Sequence, residues 1–308
     1  MRVAVVDIGT NSTRLLIADV DAGGRIEELE RRTRVTRLGD GVDSSGRLAD
    51  TAIKRVFATL DDYTELIERN GVTERPAVLT SAVRDAANGE QFTTAVRSRY
   101  GLDAAVIAGS EEAQLTFLGA LSDRDGDDTT PTLVIDVGGG STELILGSGH
   151  SVRYFTSLQA GAVRQSERHL HEDPPTVEEL AALGGNVAEL IAREVPERTR
   201  REAARAIAVA GTATSCAAID QALEPYDPAR VHGYRLELGT LKLILARLAS
   251  LPLAERRRVR GLHPDRAPTI VAGVLILIRV LEAFELDAFE ASEHDILRGV
   301  ALRRAGLA

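Results

Sequence analysis

Apolar residues fall in short, dense runs along this chain, each ended by a charge or a glycine turn. The first run, "VAVVD" (Val3–Asp7), ends on Asp7. A second, Thr13–Val20, follows at once, and a third, Arg25–Thr36, comes after the turn "DAGG" (Asp21–Gly24). Runs of this length separated by turn residues predict a three-stranded antiparallel opening. Beyond the glycine-bearing loop "LGDGVDSSGRL" the period changes. Ile53, Val56, Phe57, Leu60 and Tyr63 recur at helical spacing, so Ala49–Asn70 reads as a helix ended by Gly71. Short strands at Ala77–Thr80 and Ala105–Ala108 flank another helix, with Arg84 in the loop after the first. A further helix is predicted from about Glu111 to Leu121.

The polar, acidic stretch "SDRDGDDTTP" (Ser122–Pro131) then marks a boundary, and the opening theme restarts. "VIDVGGGSTELIL" (Val134–Leu146) is a near-copy of "VVDIGTNSTRLLI" (Val5–Ile17), and a third strand is predicted near Val152–Ser157. "DPPT" (Asp173–Thr176) starts a long helix, with Pro175 just ahead of its first turn. "AIAVAG" (Ala206–Gly211) is a strand running into a helix from about Thr214. The remainder is mostly helical apart from a short strand near Ala288–Ala291, and the final helix starts near Asp295. An internal repeat of this kind is the trace of a duplicated domain. The expected fold is α/β: two duplicated units, 1–122 and 123–308, with mixed sheets flanked by helices and facing one another across a cleft. The C-terminal helix, about 295–308, is free to pack back on the first unit.

Composition narrows the class. The 308 residues suffice for two domains, and 44% hydrophobic with 27% charged residues is a soluble globular balance. The apolar run Ile270–Ile278 is far short of the ~20 residues that cross a bilayer. No signal-peptide core opens the chain, and the single cysteine, Cys216, cannot form an internal disulfide. These features predict a cytoplasmic protein that does not enter membranes. A net charge of -9 argues against coating nucleic acid. Arginines cluster at 31–37, 198–205 and 256–260; they suit phosphate as bidentate donors, or are solvated faces balanced by glutamates.

The repeated turns carry the chemistry. Glycines let backbone N–H groups approach an anion closely, and "DVGGGST" adds a hydroxyl, which makes Gly138, Gly139, Gly140 and Ser141 a phosphate cradle. Residues two apart on a strand share a face, so Ser12 points with Arg14 and Ser141 with Glu143. The first pair suits phosphate oxygens. Glu143 with Asp136 suits a magnesium ion or an oriented water. Neither the dinucleotide pattern nor the Walker pattern is present. His294 in "EHD" lacks the further ligands of a metal phosphohydrolase and reads as a packing residue, while Cys216 reads as buried and inert.

Asp7–Ser12 and Asp136–Ser141 resemble the two phosphate loops of the actin, sugar kinase and heat-shock 70 superfamily, whose domains are ribonuclease H-like. "VAGTATS" (Val209–Ser215) looks like that fold's third nucleotide-side segment. "TSAVRDAAN" (Thr80–Asn88), "GSEEA" (Gly109–Ala113) and "SEHDILRGVAL" (Ser292–Leu302) narrow the resemblance to the exopolyphosphatase and guanosine pentaphosphate phosphohydrolase family, in its short two-domain form. This resemblance covers essentially the whole chain. It implies magnesium-dependent hydrolysis of the terminal phosphoanhydride of inorganic polyphosphate, with shorter chains expected as substrates, or of guanosine pentaphosphate. It puts the general base on Glu112, where crowding by Glu111 and phosphate would favour proton uptake. Asp136 and Glu143 are assigned to magnesium and the water, and Arg84 to a phosphate clamp with Asn88 shaping its turn. Asn11, Ser12 and Arg14 line the first wall and Gly138–Ser141 the second. Arg266 contacts distal phosphates or caps a helix. The family also implies pairing into homodimers. A kinase of the same superfamily and a non-catalytic polyphosphate or guanosine phosphate sensor are the competing readings.

Overall fold

The computed structural model describes residues 1–124, 128–149 and 151–307. The central residues 125–127 of the boundary stretch therefore lie outside the described residues. The chain divides into two compact units, residues 1–123 with 295–308, and residues 124–294.

The first unit is built on β1 (Arg2–Ile8), β2 (Ser12–Val20), β3 (Ile26–Val35), β4 (Pro76–Leu79) and β5 (Asp103–Val106), in the order β3-β2-β1-β4-β5. The first three pair antiparallel, while β1, β4 and β5 run parallel. Alternation along β1 buries both faces. Ala4, Val6 and Ile8 join Val56, Leu60 and Phe92 from helices Asp50–Arg69 and Gly89–Tyr100 on one side. Val3 and Val5 meet Leu115, Ile296, Leu297 and Val300 on the other. That second layer is made by helix Gly109–Ala120 and the last helix, Ile296–Arg304. Each large apolar side chain buried there contributes about 1.5–3 kcal/mol, which holds the C-terminal segment in this unit. The two helices cross closely at glycines: a Cβ on Gly119 would stand 1.8 Å from the Asp295 carbonyl oxygen, and one on Gly299 1.9 Å from that of Leu115.

The second unit contains β6 (Thr132–Val137), β7 (Thr142–Ser148), β8 (Ser151–Leu158), β9 (Arg205–Val209), β10 (Arg235–Glu237) and β11 (Ala288–Ala291). Its sheet order is β10-β11-β9-β6-β7-β8. With the edge strand β10 set aside, β8-β7-β6-β9-β11 repeats the order of the first sheet. Both units are thus mixed α/β sheets flanked by helices and built on one plan. The apolar run Ile270–Ile278 is the heart of helix Ile270–Ala283, which is buried along almost its whole length in this unit's core. Among the described residues no helix is long and apolar enough to cross a membrane.

Four local features depart from the sequence expectation. Helix Ala210–Asp220 starts directly at the end of β9, earlier than Thr214, because Ala210 turns the chain with φ 61° and leaves no polar loop to mark the junction. Strand β10 is too short to show alternation, with only Leu236 buried. Strand β5 starts and ends two residues before the expected Ala105–Ala108. Arg84 closes a one-turn helix, Ser81–Arg84, where a loop was expected. The last helix closes at Arg304, and residue 308 lies outside the described residues.

Candidate active site

In open α/β sheets the loops beyond the carboxyl ends of parallel strands gather functional groups. In the first unit, β1, β4 and β5 are in parallel register, Ile8 beside Leu79 and Leu79 beside Val106. The turn Gly9–Asn11, the segment Thr80–Arg84 and the start of helix Gly109–Ala120 therefore leave one sheet edge. The Thr10 and Ser81 hydroxyls meet at 2.8 Å. The Arg84 guanidinium donates from Nη1 to Glu112 Oε2 at 3.2 Å and to the Ile107 carbonyl at 3.0 Å. Two residues distant in sequence are thereby brought together. The sequence neighbour of Glu112, Glu111, pairs with Arg303 at 2.6 Å. Asn88 sits away from this contact, its amide bridging both backbone groups of Leu48.

The two hairpins are equivalent in register. Asp7 stands opposite Arg14 across β1 and β2, and Asp136 stands opposite Glu143 across β6 and β7. In the first, the opposed charges close on each other. Arg14 donates from Nε to Asp7 Oδ2 at 2.8 Å, its Nη2 lies 2.6 Å from the same oxygen, and its Nη1 bonds Asp295 Oδ2. With both edges of its guanidinium on carboxylates, Arg14 ties Asp7 to Asp295. Burial pushes the Asp7 carboxyl above its ordinary range, against the pull of Arg14. In the second hairpin two carboxylates face each other, which is unfavourable on adjacent strands without a compensating charge. Glu143 is 5% exposed and accepts from the Ser157 hydroxyl at 2.7 Å.

The turns themselves are held from behind by the segment that follows each third strand. The Asn11 carbonyl accepts from the amides of Thr36 and Arg37, and the Thr10 carbonyl from Gly39. In the copy, Gly138 O accepts from Ala162, Gly139 O from Val163 and Arg164, and Gly140 O from Gly161. Each peptide is planar and trans, so fixing a carbonyl aims the next N–H the opposite way. The amides of Asn11 and Ser12, and of Gly139, Gly140 and Ser141, are oriented in this manner. Gly138 differs: its N–H closes the turn onto Ser141 O, as that of Gly9 does onto Ser12 O. The threonines beside the serines are structural. Thr13 and Thr142 are fully buried and bond Thr36 Oγ1 and Ala160 O.

Arg266 lies against the start of helix Ala210–Asp220, where a Cβ on Gly211 would fall 1.5 Å from its Nη1. Strands β6 and β9 are parallel neighbours, Asp136 beside Val209, so this arginine borders the sheet edge that carries the glycine turn. Sequence reasoning missed Ser157, Asp295 and the backing segment Ala160–Arg164. The glycine of "LQAGA" was its one signal: a Cβ on Gly161 would stand 2.3 Å from Gly139 backbone atoms.

Residues 16–306 match the model of the Ppx/GppA phosphatase family. The chain belongs to that family. Among curated Ppx/GppA relatives, Exopolyphosphatase 2 of Mycobacterium tuberculosis is 40% identical, with 99% of each chain covered. Exopolyphosphatase 1 of Mycobacterium bovis is 30% identical over 99% of this chain and 88% of that one. Two solved structures share the whole architecture. The Ppx/GppA family member of Aquifex aeolicus superposes with a TM-score of 0.84 at 33% identity, covering 99% of this chain and 97% of its own. An exopolyphosphatase-like protein reaches 0.91 at 35% identity, with 99% of both chains covered.

Proposed function

We propose that this Ppx/GppA chain is an exopolyphosphatase, hydrolysing the terminal phosphoanhydride of inorganic polyphosphate. The relatives' activity supports the substrate. The observation that carries the chemistry is that each unit holds a glycine turn backed so that its backbone amides are oriented together, as binding phosphate oxygens requires. Glu112 takes the proton of the water that attacks the terminal phosphorus. The bond to the bridging oxygen breaks, releasing orthophosphate and a chain one unit shorter. Arg84, beside Glu112, neutralises charge on the transferred phosphoryl group, and Arg266 receives a more distal phosphate.

The donor set of Asp136 and Glu143 fits a magnesium ion: two carboxylates at opposed strand positions offer hard oxygen ligands that would hold it. Such an ion supplies charge stabilisation at the phosphoryl oxygens. Ser157 fixes the Glu143 carboxylate, and Arg14 stands at the matching position in the first hairpin.

The test is phosphate release from polyphosphates of graded length, from guanosine pentaphosphate, and from ATP with sugar or carboxylate acceptors, each with and without a chelator. Release from polyphosphate that stops on chelation is the expected result. Faster release from guanosine pentaphosphate would move the assignment to that substrate, and transfer from ATP to an acceptor would replace it with a kinase.

A further inference from the structure

We propose that Asp295 is a positioning residue that sets the first glycine hairpin through Arg14; the proposal rests on the reading of that hairpin as substrate-binding. Asp295 caps the last helix, its Oδ1 accepting from the Leu297 amide at 3.0 Å. Its Oδ2 accepts from Arg14 Nη1, so one buried carboxylate serves two partners. Its backbone carbonyl is pressed by Gly119, two turns beyond Glu112 on helix Gly109–Ala120. Asp295 is thus the point where the Glu112 helix, the last helix and the hairpin meet, all within the first unit.

The consequence falls on Asp7. Arg14 holds its Oδ2; Oδ1 is buried and, among the described residues, has no hydrogen-bond partner. A buried carboxylate oxygen left so is costly, and such groups in native structures commonly mark a functional demand on their direction. Arg14 fixes that direction with its far edge held by Asp295. Losing the Asp295 charge loosens that hold, and the Asp7 carboxylate loosens with it. Burial keeps Asp7 averse to ionisation, so the carboxylate depends on this arginine.

The Asp295→Asn substitution separates the two jobs. Asparagine is as good an N-cap as aspartate, so the last helix keeps its start while the charge facing Arg14 is lost. Three measurements on the full chain decide the matter: steady-state phosphate release from polyphosphate, the same with Arg14→Gln and the double variant, and hydrogen exchange of peptides covering residues 5–17. We expect kcat to fall about a hundredfold with KM near its original value, no further loss when Asp295→Asn is added to Arg14→Gln, and faster exchange in the hairpin. A wild-type kcat, losses that multiply in the double variant, or unchanged hairpin exchange would each overturn the proposal. If the unaltered protein releases no phosphate from polyphosphate, the functional reading falls, and the exchange measurement alone decides the role of Asp295.

Discussion

Asp136 and Glu143 occupy directly opposed positions on β6 and β7, where the first unit places Asp7 opposite Arg14. One duplicated hairpin sets an arginine opposite its aspartate; the other sets a second carboxylate there, which adds a hard oxygen ligand. That difference predicts a measurable cation dependence. Magnesium should raise the melting temperature of the wild-type protein, by the equivalent of about 2.7 kcal/mol at a hundredfold excess over Kd. Glu143→Gln should lose most of that rise while melting near the wild-type temperature without magnesium. An equal magnesium shift in both proteins would remove Glu143 from the ion's ligands.

Gly161 lies where the chain passes directly behind the second turn. Gly161→Ala brings a methyl group to 2.3 Å from Gly139 C and O, and backbone, unlike a side-chain tip, cannot swing aside. The expected cost is about 1–3 kcal/mol in urea unfolding, with weakened binding of orthophosphate measured calorimetrically. Unchanged stability and binding would mean that the turn tolerates displacement and is not held by its backing.

Asp128 gives a prediction in pH. Hydrogen bonds from Thr130, first its side chain and then its backbone, and the Arg205 guanidinium hold its carboxyl well below the usual range. A carboxyl lowered on folding contributes stability that is present above its ordinary value of 3.8 and is lost as pH falls below it. Asp128→Asn should therefore melt lower than wild type at pH 7, and the gap should shrink as the pH is taken below about 4. A gap constant from pH 7 to 3 would show that ionised Asp128 contributes nothing.

The strands, the repeat and the two hairpins were legible because they follow from local pattern: apolar runs, glycine turns and a copied register. The opposition of Asp7 to Arg14 is implicit in that pattern, since strand residues on one face meet their partners across a tight turn. What was hidden depends on distant chain. Nothing near Glu111 in sequence shows that Arg303 takes it up, and nothing near Arg14 announces Asp295. The backing of the turns was hidden differently. It runs through backbone amides of Ala162–Arg164, which carry no side-chain signature, so only the small residue Gly161 marked the place. Ala210 turned a corner usually left to glycine or a polar residue, and the helix start shifted with it.

The central claim is that Glu112, partnered by Arg84, readies the attacking water, and Glu112→Gln tests it most directly. The amide keeps the shape of the side chain and removes the base. Phosphate release from polyphosphate by this variant should fall by about 10²- to 10⁴-fold, while calorimetric binding of polyphosphate stays close to that of the wild type. Release at the wild-type rate would contradict the account and move the base to another residue.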